Sequence, residues 1–410
     1  MRKYLFYPIV NSSSTRYLSV IIFLAPLLNF LSGLNVDIYS PSMPIIATYF
    51  NASITATKNT ISSTLLGWTI GAFLFGILID SFGRKQILVY CLFLYVIISF
   101  VAPWCHTINQ LMLVRFIQGL TISAITIGGR ALIVDNIKGH RYSIAILYTS
   151  IGYGLGPIIG PFIGGILQNY IGWQANFVAL SIISATLLCV LIAFIKESIP
   201  KRHPLVFSQI ALRCRSVLKH KQFIAGVIIS GLIQIQIMIY PTIGPFIVEN
   251  ILHESAIVYG NTALIVGASY LVGTLINRVL LQYITPKNVC YIGSAVLLVG
   301  LLFSYWFAVA FQLGLLTVMF PTTLICISAG LIFANVMGAN LKQFPDSTGI
   351  SMAIQATLLL LIASAGVFII SHVQVDGLIQ LSMILSILVL LQTFIFFFGY
   401  RKIFGSVSDQ

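Results

Sequence analysis

Two charged side chains lie inside long apolar stretches of this sequence, where an ionised group is costly. Asp37 stands near the end of the stretch 17–44, which holds no other charged residue, and Arg115 stands within the stretch 109–135. Ionisable residues at membrane depth are rare and mark pathways for protons or substrates. A carboxyl group binds and releases protons, so we expect Asp37 to carry a proton. Arg115 is expected to pair with it, because pairing lowers the cost of burying each charge.

The composition requires a membrane around these charges. Only 8% of the 410 residues are charged and 58% are hydrophobic, with a mean hydropathy of +1.01, whereas soluble domains carry about 25% charged residues. The long apolar runs predict helices rather than a β-barrel, whose strands alternate in short segments. The net charge of +13 follows from loop topology, not from nucleic-acid binding. The six cysteines are scattered without a CxxC pair, so neither a disulfide framework nor a metal site is expected.

Twelve transmembrane helices are predicted, because about 20 apolar residues span a bilayer. Their expected limits are 17–48, 58–79, 86–104, 109–135, 143–168, 174–195, 222–247, 257–280, 288–308, 312–338, 349–372 and 377–400. The fold class is an all-α membrane protein with two six-helix bundles. We expect an N-terminal bundle over 1–195, a basic cytoplasmic linker over 196–221 and a C-terminal bundle over 222–410.

Lysine and arginine place the N-terminus in the cytoplasm, because short cytoplasmic loops carry an excess of cations. With that orientation Lys58 is the only cation in an external loop, and Arg115 and Arg130 fall inside the fourth span. Arg130 is expected to be an interfacial anchor rather than a substrate ligand. At 1.5 Å per residue, Asp37 lies roughly 30 Å along the first span and Arg115 roughly 9 Å into the fourth, so both fall in the outer half.

The turn between the second and third spans carries the most specific pattern in the chain. It runs from Gly76 to Lys85 as GILIDSFGRK. Gly76 is expected to allow another helix to approach closely, and Gly83 to permit a tight turn. The two cations Arg84 and Lys85 hold the turn on the cytoplasmic side. The pattern resembles the loop signature of the major facilitator superfamily, with Ser81 where a basic residue is usual.

Further motifs narrow the resemblance to the twelve-span drug:proton antiporters. The first span ends in DIYSPSMP, which is similar to their D-x-Y-x-P-x-x-P pattern, and LMLVRFIQG at 111–119 resembles their fourth-span motif. The stretch 152–165 resembles their fifth-span antiporter motif, except for Pro161 where relatives often have glycine. Asn335 with the stretch 345–352 is similar to the bicyclomycin- and chloramphenicol-resistance branch.

The fifth-span motif is a stripe of glycines that recur every four residues on one helix face. The stripe consists of Gly152, Gly156, Gly160 and Gly164, with two prolines, Pro157 and Pro161, that bend the helix. Such a face favours close helix packing. The resemblance implies that it packs against the eighth span where the two halves meet. Spacing alone leaves the alternative of plain helix packing without a coupling role.

The resemblance implies a proton-coupled exporter of small amphipathic compounds, such as drugs, that works by alternating access. It also implies that Asp80, Arg84 and Asp135 form a cytoplasmic charge relay, which we expect to hold the outward-facing state. Polar residues of the cavity-lining spans are expected to contact substrate, namely Asn29, Gln118, Gln236 and Tyr240. From the residues alone, each could equally be a contact between helices.

Two other hypotheses stay open. One is a proton-linked transporter of a single metabolite, such as a siderophore or an amino acid, and the other is a non-transporting membrane sensor. No enzyme activity, cofactor or metal is expected, so a gradient must supply the energy. The expected partners are a small-molecule substrate, protons and the lipid bilayer, without nucleic acid. We expect a monomer in the plasma (inner) membrane, with both termini in the cytoplasm.

Overall fold

The computed structural model describes residues 15–197, 216–344 and 348–400. Within these ranges twelve helices are long and apolar enough to cross a membrane, and no strand is found there. The helices, numbered α1 to α12, are Thr15–Asp37, Ile54–Phe82, Arg84–Val101, Ile108–Asn136, His140–Tyr170, Gln174–Phe194, Lys221–Pro245, Ala256–Leu280, Pro286–Ala310, Leu315–Lys342, Thr348–Ser371 and Leu378–Phe394. The prediction of a twelve-helix, all-α fold is confirmed. The predicted linker lies mostly outside the described residues, so the domain limits stay a prediction.

Four spans, the first, third, seventh and twelfth, continue beyond their first helix, and the first and seventh matter most for the site. After α1, a 3-10 turn at Ser40–Ser42 and a short helix at Met43–Tyr49 complete the first span. After α7, a π-helix at Phe246–Ile251 completes the seventh. The expected limit of the seventh span at residue 247 was therefore too short. As a consequence Glu249 lies inside the seventh span.

The first six helices pack mainly against one another, and the last six do the same. We call these groups the N-terminal and C-terminal halves. The near side is the membrane side on which α1 begins, and the far side is the opposite one. Contacts of α5 with α8 and of α2 with α11 are the main connections between the halves.

The halves are joined on the far side. The Ser40 Oγ and Tyr259 OH atoms lie 3.1 Å apart, and Ser364 Oγ donates to the Ser62 carbonyl oxygen at 3.1 Å. These are the hydrogen bonds between the halves within the described part of the chain. All four residues lie in the far-side half of their spans, so the far side is closed.

Lys58 is part of this closure. The sequence had placed it in an external loop, but it lies in a helix. The α2 helix begins at Ile54, where the Ser53 hydroxyl accepts a hydrogen bond from Ala56 N, so Lys58 falls inside the helix. Lys58 is only 3% exposed. Its ammonium lies 5.6 Å from the ring centre of Phe246 at the end of the seventh span, within reach of a cation–π interaction.

The near side is open between α5 and α8. The face of α5 that contacts α8 carries Ile158, Pro161 and Gly165. At about 100° per residue, Gly154 lies on the same face one turn closer to the near side. A Cβ atom at Gly154 would meet no atom within 4 Å, and Leu147, two turns further towards the near side, is exposed. The two helices therefore diverge towards the near side.

Candidate functional site

Asp37 is the last residue of α1 and is 3% exposed. Its backbone oxygen accepts a hydrogen bond from the Ser40 hydroxyl at 2.8 Å. Its carboxylate takes part in no hydrogen bond or ion pair with any described residue. Gly160 of α5 lies directly against it, since a Cβ atom there would be 3.1 Å from the Asp37 Cβ. An ionised carboxylate in such a place is costly unless a donor reaches it.

Arg115 on α4 is fully buried and close to this carboxylate. Its Nη1 donates to the Asn35 carbonyl oxygen at 3.0 Å and to Gln118 Oε1 at 2.9 Å. Its Cζ lies 4.7 Å from the ring centre of Tyr39. The predicted direct ion pair with Asp37 is not formed, because a carbonyl, an amide and an aromatic ring hold the guanidinium instead. The two charges nevertheless interact electrostatically, and Nε and Nη2 of the arginine have no partner.

A polar network fixes Arg115 between three helices. Gln118 Nε2 donates to Ser99 Oγ on α3 at 2.8 Å, and Tyr95 OH on α3 donates to Asn35 Oδ1 on α1 at 2.7 Å. Linked hydrogen bonds of this kind are strong in a low-dielectric interior and keep each member in place. The Nη1 atom of Arg115 is therefore held in place, while Nε and Nη2, which have no partner, are available to a carboxylate or a water molecule.

The side chains predicted to line the substrate cavity mostly connect helices. Asn29 donates to a carbonyl oxygen of its own helix at 3.0 Å. Gln236 Nε2 donates to Gln392 Oε1 on α12 at 2.9 Å, and Tyr240 OH donates to Thr262 Oγ1 on α8 at 2.6 Å. The fourth, Gln118, belongs to the arginine network. All four are buried, and each makes at least one hydrogen bond, as polar side chains between membrane helices commonly do.

Other side chains lie beside the near-side opening. Arg130 is exposed on α4, and its Cζ is 6.0 Å from the ring centre of Tyr153 on α5. The Tyr153 ring lies 6.4 Å from that of Trp68 on α2. Arg130 had been expected to be an interfacial anchor, and the two aromatic residues were missed. In the sequence, Tyr153 stands between two glycines, Gly152 and Gly154, and this pattern could have marked it as a candidate.

The turn between α2 and α3 lies on the near side, and the charged residue that follows it contacts the near-side end of α4. Arg84 Nε and Asp135 Oδ2 form an ion pair at 2.8 Å, and Gly83 has a φ of 109°, which favours glycine. Both charged residues belong to the N-terminal half, so this pair alone cannot hold the two halves together. The side chain of Asp80 lies outside what the structure describes, and its predicted role in the relay stays a prediction.

Glu197 is a further residue of this turn that sequence reasoning missed. Its Oε1 accepts from Arg84 N at 2.9 Å and its Oε2 from Lys85 N at 3.2 Å. A carboxylate suits the first turn of α3, where backbone N–H groups lack helical partners and the helix dipole is positive. The sequence signal that could have identified it is that Glu197 is the only acidic residue in the stretch 195–221, after the sixth span. Gly76 had been expected to allow a close helix contact, but a Cβ atom there would meet nothing within 4 Å.

The glycine stripe of α5 faces α1 and not α8. Cβ atoms would meet α1 or the turn after it at every stripe position, namely Gly152, Gly156, Gly160 and Gly164. The residues of α5 that contact α8 lie about 150° away around the helix. The expected face was therefore wrong. The stripe brings α5 against Asp37 within the N-terminal half, while Pro157 and Pro161 lie in an uninterrupted helix.

Comparisons with known proteins agree with this architecture. The family model described as Major Facilitator Superfamily matches residues 27–367. An uncharacterized MFS-type transporter of Bacillus subtilis, YdgK, is 30% identical over 260 residues, which are 61% of this chain and 65% of that protein. The chloramphenicol resistance protein CraA of Acinetobacter baumannii is 25% identical over 332 residues, which are 79% of this chain and 78% of that protein. The predicted resemblance to a drug-resistance branch is confirmed.

The fold is also found among solved structures. The crystal structure of a D-xylose-proton symporter matches with a TM-score of 0.74, covering 92% of this chain and 97% of that one. The sequences are 17% identical, so this likeness concerns the fold alone.

Proposed function

Because the chain belongs to the Major Facilitator Superfamily, we propose that it is a proton-coupled exporter of small amphipathic compounds that works by alternating access. The observation that carries the proposal is the Asp37 carboxylate, which is 3% exposed and bonded to no described residue. A relative named for chloramphenicol resistance supports the export of such compounds.

We place the near side in the cytoplasm and the protein in the plasma (inner) membrane. Cations concentrate in the near-side loops, as the positive-inside rule requires. With this orientation the structure is an inward-facing state, closed towards the outer medium. A monomer suffices for this mechanism, because both halves are in one chain.

The proton is exchanged at Asp37. When the carboxyl loses its proton, the negative charge attracts the two unpartnered nitrogens of Arg115. When Asp37 is protonated, Arg115 is released and keeps its bonds to Asn35 and Gln118. Gly160 lies against Asp37, and α5 also carries the contact with α8. A small movement at Asp37 is thereby passed to the helix that joins the halves, which couples protonation to alternating access.

The substrate enters through the near-side opening, beside Arg130, Tyr153 and Trp68. Aromatic rings bind lipophilic molecules through large apolar surfaces. With Asp37 as its acid, the site suits neutral or singly charged compounds, because each further buried charge needs its own partner. The alternative is a dedicated proton-linked transporter of one metabolite, such as a siderophore or an amino acid.

Proton coupling is tested in inverted membrane vesicles by substrate-driven proton release. Asp37→Asn keeps the size of the side chain but cannot exchange a proton, so we expect it to abolish the release while protein remains in the membrane. Glu254→Gln, an exposed acid on the far-side loop, is the matched control and should behave like the wild type. Normal proton release in Asp37→Asn would refute the proposal. A wild-type protein that moves neither protons nor substrates would favour the sensor hypothesis.

The substrate class is tested by expression in a drug-sensitive bacterial host. We expect raised tolerance to at least one neutral or singly charged amphipathic compound, no protection against divalent cations, and weaker protection with Asp37→Asn. If a broad panel gives no protection while one siderophore or amino acid shows proton-linked transport, the dedicated-metabolite hypothesis replaces the multidrug one.

A further inference from the structure

The far-side end of the seventh span holds an acid that the proposed mechanism does not use. Glu249 lies in the π-helix Phe246–Ile251, which packs against the short helix Met43–Tyr49 and against α8. These contacts are part of the far-side closure. The side chain of Glu249 is partly buried, and its Oε1 atom is shielded from solvent without a hydrogen-bond partner.

The ionisable groups around Glu249 do not satisfy this oxygen. Tyr259 on α8 interacts with Glu249 electrostatically, but its hydroxyl contacts Ser40 across the halves. Tyr240 on α7 stacks on Tyr259 at 5.6 Å and donates its hydroxyl hydrogen to Thr262. Neither tyrosine supplies a donor to Glu249.

The remaining charged groups are also engaged elsewhere. Lys58 on α2 lies over the ring of Phe246 and interacts electrostatically with Asp376, and it forms no ion pair with Glu249. Tyr49, on the short helix, is exposed and packs against aromatic rings. Glu254 and His253, in the loop that follows, are exposed. No cation of the described structure therefore neutralises Glu249 while the far side is closed.

Closure of the far side and ionisation of Glu249 oppose each other. A carboxylate oxygen that is buried without a donor is costly. Either protonation or exposure to water removes most of this cost. By linkage, a proton on Glu249 favours the closed far side, and the closed far side favours the proton to the same extent.

We propose that Glu249 is a second proton-binding residue, which couples protonation from the outer medium to closure of the far side. While the far side is open, a proton from the outer water binds the carboxylate and forms an O–H bond. The Oε1 atom of the neutral acid is then shielded from solvent as the π-helix, α8 and the short helix close. The inference depends on the proposed function for its orientation, since the far side must face the outer medium.

The test measures a far-side distance as a function of pH. Spin labels are placed on exposed residues at the far-side ends of the two halves, at Tyr170 and Leu316, after replacement of the native cysteines. The full-length protein is studied in nanodiscs without substrate, from mildly acidic to mildly alkaline pH. In the wild type we expect the short, closed distance to dominate at acidic pH and a longer distance to grow as the pH rises.

Three variants isolate the role of Glu249. Glu249→Gln, which imitates the neutral acid, should keep the closed distance at every pH and lose the response. Glu254→Gln should retain the wild-type response. Tyr259→Phe removes the hydroxyl contact with Ser40, so it should lower the closed population at all pH values while the response to pH persists.

A Glu249→Gln protein with the same pH response as the wild type would overturn the inference. If this variant does not fold, Glu249→Asp replaces it, and the expected result is a response shifted in pH but not lost. An unshifted response would also overturn the inference.

The inference and the proposed function fail separately. Loss of proton release in Asp37→Asn, together with an unchanged pH response in Glu249→Gln, rejects only the inference. A pH response that depends on Glu249, in a protein without substrate-driven proton release, rejects only the proposed function.

Discussion

Two carboxylates from other parts of the chain contact the first residues of α3, and they stabilise the protein in different ways. Asp135 pairs with Arg84, and the side chains are only 18% and 17% exposed, so the cost of desolvating both charges offsets much of their attraction. Glu197 accepts two backbone N–H groups that the helix itself cannot satisfy. Loss of such a cap costs about 0.5–2 kcal/mol.

Replacement of Glu197 is expected to destabilise the protein through the N-terminus of α3. Glu197→Ala should lower the free energy of unfolding by about 1 kcal/mol, because two backbone donors lose their acceptor. Glu254→Ala, at an exposed acid, should change it by less than about 0.5 kcal/mol. Denaturant-induced unfolding in mixed micelles measures both values. Equal effects would show that Glu197 is an ordinary surface acid.

At the scale of elements, α5 uses two faces for two purposes. Its glycine stripe lies against α1 and brings the helix backbone to Asp37. The opposite face, with Ile158, Pro161 and Gly165, contacts α8. A helix that is packed closely on both faces transmits a displacement from one to the other, because packed interiors do not deform continuously. This arrangement connects the candidate proton site with the contact between the halves.

Alanine substitutions distinguish the packed glycines from the open ones. A Cβ atom at Gly156 would clash with the backbone of Gly33 and Leu34, so Gly156→Ala should cost about 1–3 kcal/mol of stability through overpacking. Gly76 has free space for a Cβ atom, so Gly76→Ala should be neutral or stabilising by up to about 1 kcal/mol through helix propensity. Thermal unfolding in detergent measures the difference. A destabilised Gly76→Ala would indicate a close contact in another state.

At the scale of the whole molecule, the two halves are hydrogen-bonded to each other on the far side, while α5 and α8 diverge towards the near side. Alternating access requires the near-side parts of α5 and α8 to approach each other as the far side opens. The α8-facing residues Leu147 and Gly154 must then become buried. They are exposed or have free space in this structure, which makes the face a place where transport can be blocked without damage to the fold.

A larger side chain at Gly154 is expected to act as a wedge. Gly154→Leu fits the present structure, whose near side is open, so stability should be unchanged. If the proposed export requires near-side closure, this closure should be hindered and export should fall at least about tenfold, which corresponds to about 1.4 kcal/mol. Gly154→Ala should have a smaller effect. Tyr148→Leu, an exposed position of the same helix turned away from α8, is the control. Transport assays with a near-side distance measurement test this, and normal export by Gly154→Leu would contradict the proposed closure.

The sequence alone determined the twelve spans, their limits to within a few residues in most cases, and the two charges buried in the N-terminal half. These features are local, because bilayer thickness and internal backbone hydrogen bonding set the length and type of each span. Only the tertiary structure decided which face of each helix meets which neighbour. In the tertiary structure the glycine stripe of α5 faces α1, and Arg115 donates a hydrogen bond to the Asn35 carbonyl oxygen instead of pairing with Asp37. Lys58 and Glu249 lie at the far-side contact between the halves. Lipid and helix interiors are equally apolar, so hydrophobicity does not orient a membrane helix about its own axis, and close packing and individual hydrogen bonds do.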